Sequence, residues 1–185
     1  MKKLRTFEKP ERGLIRKKLD QIQDLKIEDD YYPDIPWSDD MIVEQNIEEI
    51  KNLENVLYFF IGHSITGDLG ICAEDNQGRL LTLSYNHYTK PDIHKFILKH
   101  LGQDLFNQIS NHFINVNGGD YLINSQNIEG FGFADYDKDD VINYSLVYFK
   151  NDETISLPIY NERFKQEKAS IEKQLERIQK INKTL

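Results

Sequence analysis

At 185 residues, with 39% hydrophobic and 29% charged residues, the chain has a globular composition and is long enough to bury about two thirds of the surface its unfolded form exposes. A net charge of −8 and a pI near 5.1 argue against a nucleic-acid binder, which has to meet a polyanion. The single cysteine, Cys72, excludes an intramolecular disulfide, and the longest apolar run, Val56 to Ile61, is far short of the roughly 20 residues a membrane helix requires. Residues 6 to 25 are too charged to be the apolar core of a signal peptide, so the expected location is a reducing cytoplasm.

In chain order, residues 1–10 are a candidate flexible arm. Leu14, Ile15, Leu19, Ile22 and Leu25 then recur at helical spacing, which predicts an amphipathic helix over residues 11–25. The segment from Glu28 to Trp37 carries Pro33 and Pro36 and cannot be regular helix. Ser38 is a candidate N-cap, with Asp39 and Asp40 in the favourable first turn of a helix predicted for residues 39–53. From Val56 the period changes. Three strands are expected at Val56–Ile61, Leu69–Ala73 and Arg79–Tyr85, the last two joined as a hairpin by Asp75-Asn-Gln-Gly78. Pro91 suits the first position of a helix whose apolar residues run from Ile93 to Ile109, with Gly102 able to break it in two.

Phe113 to Tyr160 forms a second β-rich stretch, divided by turn sequences at Asn117-Gly-Gly119, Asn127–Gly130, Asp135–Asp140 and Asn151-Asp152, which predicts four or five strands. Residues 161–183 close the chain as a helix striped by Phe164, Ile171, Leu175, Ile178 and Ile181. The fold class implied is α+β, one domain over residues 1–185. A largely antiparallel sheet packs against N-terminal, central and C-terminal helices.

The segment with most chemical promise is Gly62-His63-Ser64-Ile-Thr-Gly67-Asp68. A nucleophile elbow needs Gly-x-Ser-x-Gly, and here the second glycine comes one residue late; no lysine follows it to make a phosphate loop. Asp135 to Asp140 resembles the start of a calcium loop, but Asp140 stands where the turn glycine belongs and Leu146 where the bidentate glutamate belongs. His94 and His100 are six residues apart, off one helix face, so no zinc site is expected. No cofactor, metal or catalytic residue is assigned. Cys72, inside a predicted strand, reads as a buried and inert thiol.

The run Val56-Leu-Tyr-Phe-Phe-Ile-Gly-His-Ser-Ile-Thr-Gly-Asp-Leu69, followed by Ile71-Cys-Ala-Glu-Asp-Asn-Gln-Gly-Arg-Leu80 and Leu83-Ser-Tyr-Asn-His87, resembles the SUKH superfamily. The shared pattern is a strand ending in Ile-Gly, a Gly-Asp start to the next strand, and an acidic hairpin with glycine before a third strand. The resemblance covers residues 56–87. It implies an α+β domain and, as in many bacterial members, an immunity role in which the protein binds and neutralises a toxin.

The leading functional expectation is therefore a non-catalytic cytoplasmic protein that binds another protein, with neither nucleic acid nor membrane as partner. The alternatives are a hydrolase using His63, Ser64 and Asp68, or an assembly protein using the C-terminal helix as a seam. The expected contact segment combines charge with anchoring aromatics: Asp29, Asp30, Tyr31, Tyr32, Asp34, Trp37, Asp39 and Asp40. Residues 19–60 hold twelve acidic against two basic residues, a net −10, which fits a basic partner such as a nuclease-type toxin.

Overall fold

The computed structural model describes residues 5–7, 33–35, 40–63, 68–134 and 142–184. Among them are nine strands: β1 (Arg5–Phe7), β2 (Val56–His63), β3 (Leu69–Asp75), β4 (Leu80–His87), β5 (Phe113–Val116), β6 (Tyr121–Asn124), β7 (Ile128–Ala134), β8 (Ile142–Phe149) and β9 (Thr154–Tyr160). Four helices accompany them: α1 (Asp40–Glu49), α2 (Ile93–Leu101), α3 (Gln103–His112) and α4 (Asn161–Thr184). The fold is α+β, as the alternating periods of the sequence imply. The helix expected at residues 11–25 and the acidic turn at Asp135–Asp140 lie outside the described residues.

The strands form two sheets, one ordered β4-β3-β2-β6-β5 and the other β1-β7-β8-β9. All pairings between these nine strands are antiparallel except β1 with β7. Contacts divide the chain into two compact units, one of residues 1–31 and 128–173, the other of residues 32–127 and 174–185.

In the second unit the β3–β4 hairpin is closed by the expected turn. Gly78 takes a positive φ of 78°, and the Asp75 carboxylate accepts from the backbone N–H groups of Gln77 (3.0 Å) and Arg79 (2.9 Å). One face of the five-stranded sheet carries Phe59, Ile61, Ile71, Ala73, Leu81 and Leu83. These pack with Ile50 just after α1, Ile93 and Ile97 of α2, and Ile109 of α3. Each fully buried isoleucine or phenylalanine in such a layer contributes about 1.5–3 kcal/mol relative to exposure.

Two helix boundaries differ from expectation. The first helix ends at Glu49 rather than residue 53, because Lys51 N and Asn52 N bond three residues back, to Glu48 O and Glu49 O, and tighten the chain into the 3-10 turn Leu53–Asn55. The second begins at Ile93, with Asp92 as N-cap accepting from Lys95 N at 3.2 Å, so Pro91 stands ahead of the cap. Gly102, at φ 88°, does separate two helices.

In the first unit, Asn151-Asp152 turns β8 into β9 with Asp152 at φ 67°. Phe131, Phe133, Leu146, Val147, Phe149, Leu157 and Ile159 are buried there, and Phe133 meets Phe164 of α4 edge-on at 6.3 Å. The α4 stripe of Phe164, Ile171, Leu175 and Ile178 is buried within the chain itself, and Ile181 is half-buried. No helix among the described residues is long and apolar enough to cross a membrane.

Candidate functional site

Among the described residues, Pro33, Asp34 and Ile35 fix the acidic segment to the five-stranded sheet. Ile35 precedes Pro36, and the proline ring biases the residue before it towards extended backbone. Extended, the tripeptide runs parallel to the end of β2: Ile35 N donates to His63 O and His63 N donates to Pro33 O, both at 2.7 Å. β6 covers that side of β2 only as far as Phe60, with one further bond from Ile61 N to Asp120 O at 3.1 Å. The tripeptide takes the backbone groups left over at His63.

The Ile35 side chain explains why this position was available. It is 4% exposed and rests on Gly62 and Gly70, which stand opposite each other across β2 and β3. A Cβ on Gly62 would overlap the Ile35 side chain and come within 2.5 Å of Pro33 O. A Cβ on Gly70 would come within 2.5 Å of both Ile35 Cδ1 and Ser84 O. Real Cβ atoms do not approach so closely, so the two glycines together make a slot whose floor is bare backbone. Asp34, between the two anchored residues, is exposed.

Of the other expected contact residues, Asp40 is the first residue of α1, whereas Asp29, Asp30, Tyr31, Tyr32, Trp37 and Asp39 lie outside the described residues. Glu44, Glu48 and Glu49 of α1 are exposed. Glu48 pairs with Lys51 at 2.5 Å, and Glu49 with Arg79 at 2.9 Å. Arg79 also holds Asp75 at 2.7 Å, and that network ties α1 to the β3–β4 hairpin. Asp34 and Glu44 stay outside these pairs.

Of the polar residues in the His63 turn, the structure describes His63 and Asp68. His63 contributes its backbone to the tripeptide bridge, Asp68 is half-buried before β3, and Ser64 lies outside the described residues. Cys72 is fully buried, and burial pushes its thiol up to about 12, so the thiolate a nucleophile needs is disfavoured. Tyr58 is likewise shifted upwards, first by burial and then by the Glu74 carboxylate. His94 lies edge-on to Phe106 at 6.1 Å and His100 against Phe96 at 4.5 Å; no group of three metal-ligating side chains occurs among the described residues.

Compared with models of known families, with curated proteins and with solved structures, the chain gives no match. The site has to be read from its own chemistry.

Two features escaped the sequence reading. Ser84 Oγ and His87 Nε2 form a hydrogen bond where β4 bulges, with Asn86 between them at φ 62°. Only the tolerance of asparagine for positive φ hints at it in the sequence. A cavity of about 290 Å³ also opens between Lys90–His94 at the start of α2 and Gly118–Gly119. Two charged groups on its rim are already engaged, Lys90 with Asp120 and Asp92 with Lys95 N.

Proposed function

We propose that this chain is a non-catalytic cytoplasmic binding protein of the immunity type, which neutralises a basic toxin through the acidic segment around residues 28–40. The observation that carries this reading is the anchoring of Pro33–Ile35 on the sheet with Asp34 turned outward. A charged loop with only a solvating role needs no buried anchor. A recognition segment gains from one, because ordering it before contact removes part of the entropy cost of association. The sequence places Asp29, Asp30, Asp39 and Asp40 on either side of the anchor, with Tyr31, Tyr32 and Trp37 as candidate hot spots. The resemblance of residues 56–87 to SUKH proteins supports the same role.

The test is affinity capture of the partner from source cells, followed by association kinetics with the purified pair. The partner should be basic, and its association should slow as salt passes the screening range near about 0.1 M. Reversing Asp29, Asp30 and Asp34 to lysine should slow association at least tenfold, whereas Ala at His63, Ser64 and Asp68 should leave binding intact. Unchanged association and salt dependence in a folded triple-reversal variant would remove the acidic segment as the interface.

A further inference from the structure

We infer that Ile35 is a latch: it holds residues 33–35 on the sheet edge by occupying the Gly62–Gly70 slot, and it opens as a local unit without unfolding the sheet beneath it. Three observations lead there. Among the described residues the tripeptide is held by two backbone hydrogen bonds, both to His63, beyond the last residue that β6 pairs on β2. Its buried apolar contribution is the single side chain of Ile35, since Pro33 is half-buried and Asp34 exposed. The sheet itself does not depend on those contacts, because β2 is paired along its length by β3, from Val56 with Asp75 to His63 with Leu69. A tripeptide joined to the end of one strand belongs to the low-stability end of a protein's local openings, while the β2–β3 pair belongs to the high end.

Closed, the latch presents Asp34 at a fixed place on the sheet and supplies partners for the backbone of His63. Open, it releases residues 33–35 from the sheet edge, and Asp34 loses its fixed place. The fraction of molecules with the latch closed would then scale the apparent affinity for a partner. Ile35, Gly62 and Gly70 are on this account positioning residues. The link to partner affinity rests on the interface reading above; the latch itself does not.

Hydrogen exchange on the full chain, with no partner present, tests the latch separately from that reading. In the native protein the amides of Ile35 and His63 should exchange at least tenfold faster than those of Phe60, Ile71 and Cys72. Ile35→Ala leaves both glycines in place and should speed exchange at Ile35 and His63 by a further tenfold or more, with β2–β3 elsewhere unchanged. Gly62→Ala, whose Cβ would meet Ile35, Pro33 O and the Phe60 ring as its nearest neighbours, should give the same pattern. The inference is overturned if Ile35→Ala leaves the two amides unchanged, if exchange accelerates equally across β2 and β3, or if that variant no longer folds.

Discussion

Asn124 at the end of β6 offers a quantitative test of how this fold satisfies its buried polar groups. The residue is fully buried. Its Nδ2 donates to Leu53 O at 3.0 Å and Val56 O at 2.9 Å, and its Oδ1 accepts from Gln126 N at 3.1 Å. Val56 O also accepts from Asn127 Nδ2 at 2.9 Å, so it keeps a partner when Asn124 is removed. Leu53 O likewise keeps the Val56 N–H, so Asn124→Ala removes three hydrogen bonds and leaves neither carbonyl bare. At about 0.5–1.5 kcal/mol net for each of the three hydrogen bonds lost, the cost is about 1.5–4.5 kcal/mol. Against a total stability of about 5–15 kcal/mol, that is a large fraction. Urea denaturation should show a lower midpoint at unchanged slope. Asn124→Asp separates the donor from the acceptor: it keeps an oxygen for Gln126 N but turns a carboxylate on two carbonyl oxygens. Burial and those carbonyls raise the folded-state pKa of that carboxyl above its unfolded value near 3.9. The stabilisation of the protonated form is then fully present below about pH 4 and is lost as pH rises. The deficit of Asn124→Asp against the native protein should consequently be large at pH 7 and shrink on acidification. An Asn124→Ala variant within 1 kcal/mol of the native protein, or an Asp variant equally stable at pH 7, would refute the reasoning.

Two further outcomes are expected. Gln174 of α4 clamps the outer edge of β5, its Oε1 accepting from Asn115 N at 2.7 Å and its Nε2 donating to Asn115 O at 2.9 Å; Gln174→Ala should cost about 1–3 kcal/mol and increase self-association in light scattering, because a bare sheet edge invites strand pairing. Raising the pH should destabilise the protein from about pH 9 upward, since Cys72 is raised from 9.0 to about 12 and Tyr58 is raised as well. A buried thiol or phenol stabilises the fold fully below its unfolded pKa, and that stabilisation is lost as the pH rises towards the folded value. Thermal melts should show this alkaline fall, with Cys72→Ala removing its lower part; a flat profile from pH 8 to 11 would contradict it.

The local pattern of this chain settled its elements where each depended on its own residues. The change of period at Val56, the Asp75–Gly78 turn, the break at Gly102 and the Asn151-Asp152 turn all match the structure, because turn chemistry and side-chain alternation act over a few residues. The α4 stripe was equally legible, as its spacing alone marks Phe164, Ile171, Leu175 and Ile178 as one face. Tertiary structure decided the rest. Sequence order does not reveal that β5 and β6 leave the second β-rich stretch to join β2, while β7, β8 and β9 form another sheet, because strand pairing depends on partners far along the chain. Nor does it reveal that Ile35 seats on the sheet. Gly62 and Gly70 are eight residues apart in sequence and become one slot only when β2 and β3 pair in register, and it is that pairing which gives Ile35 its place.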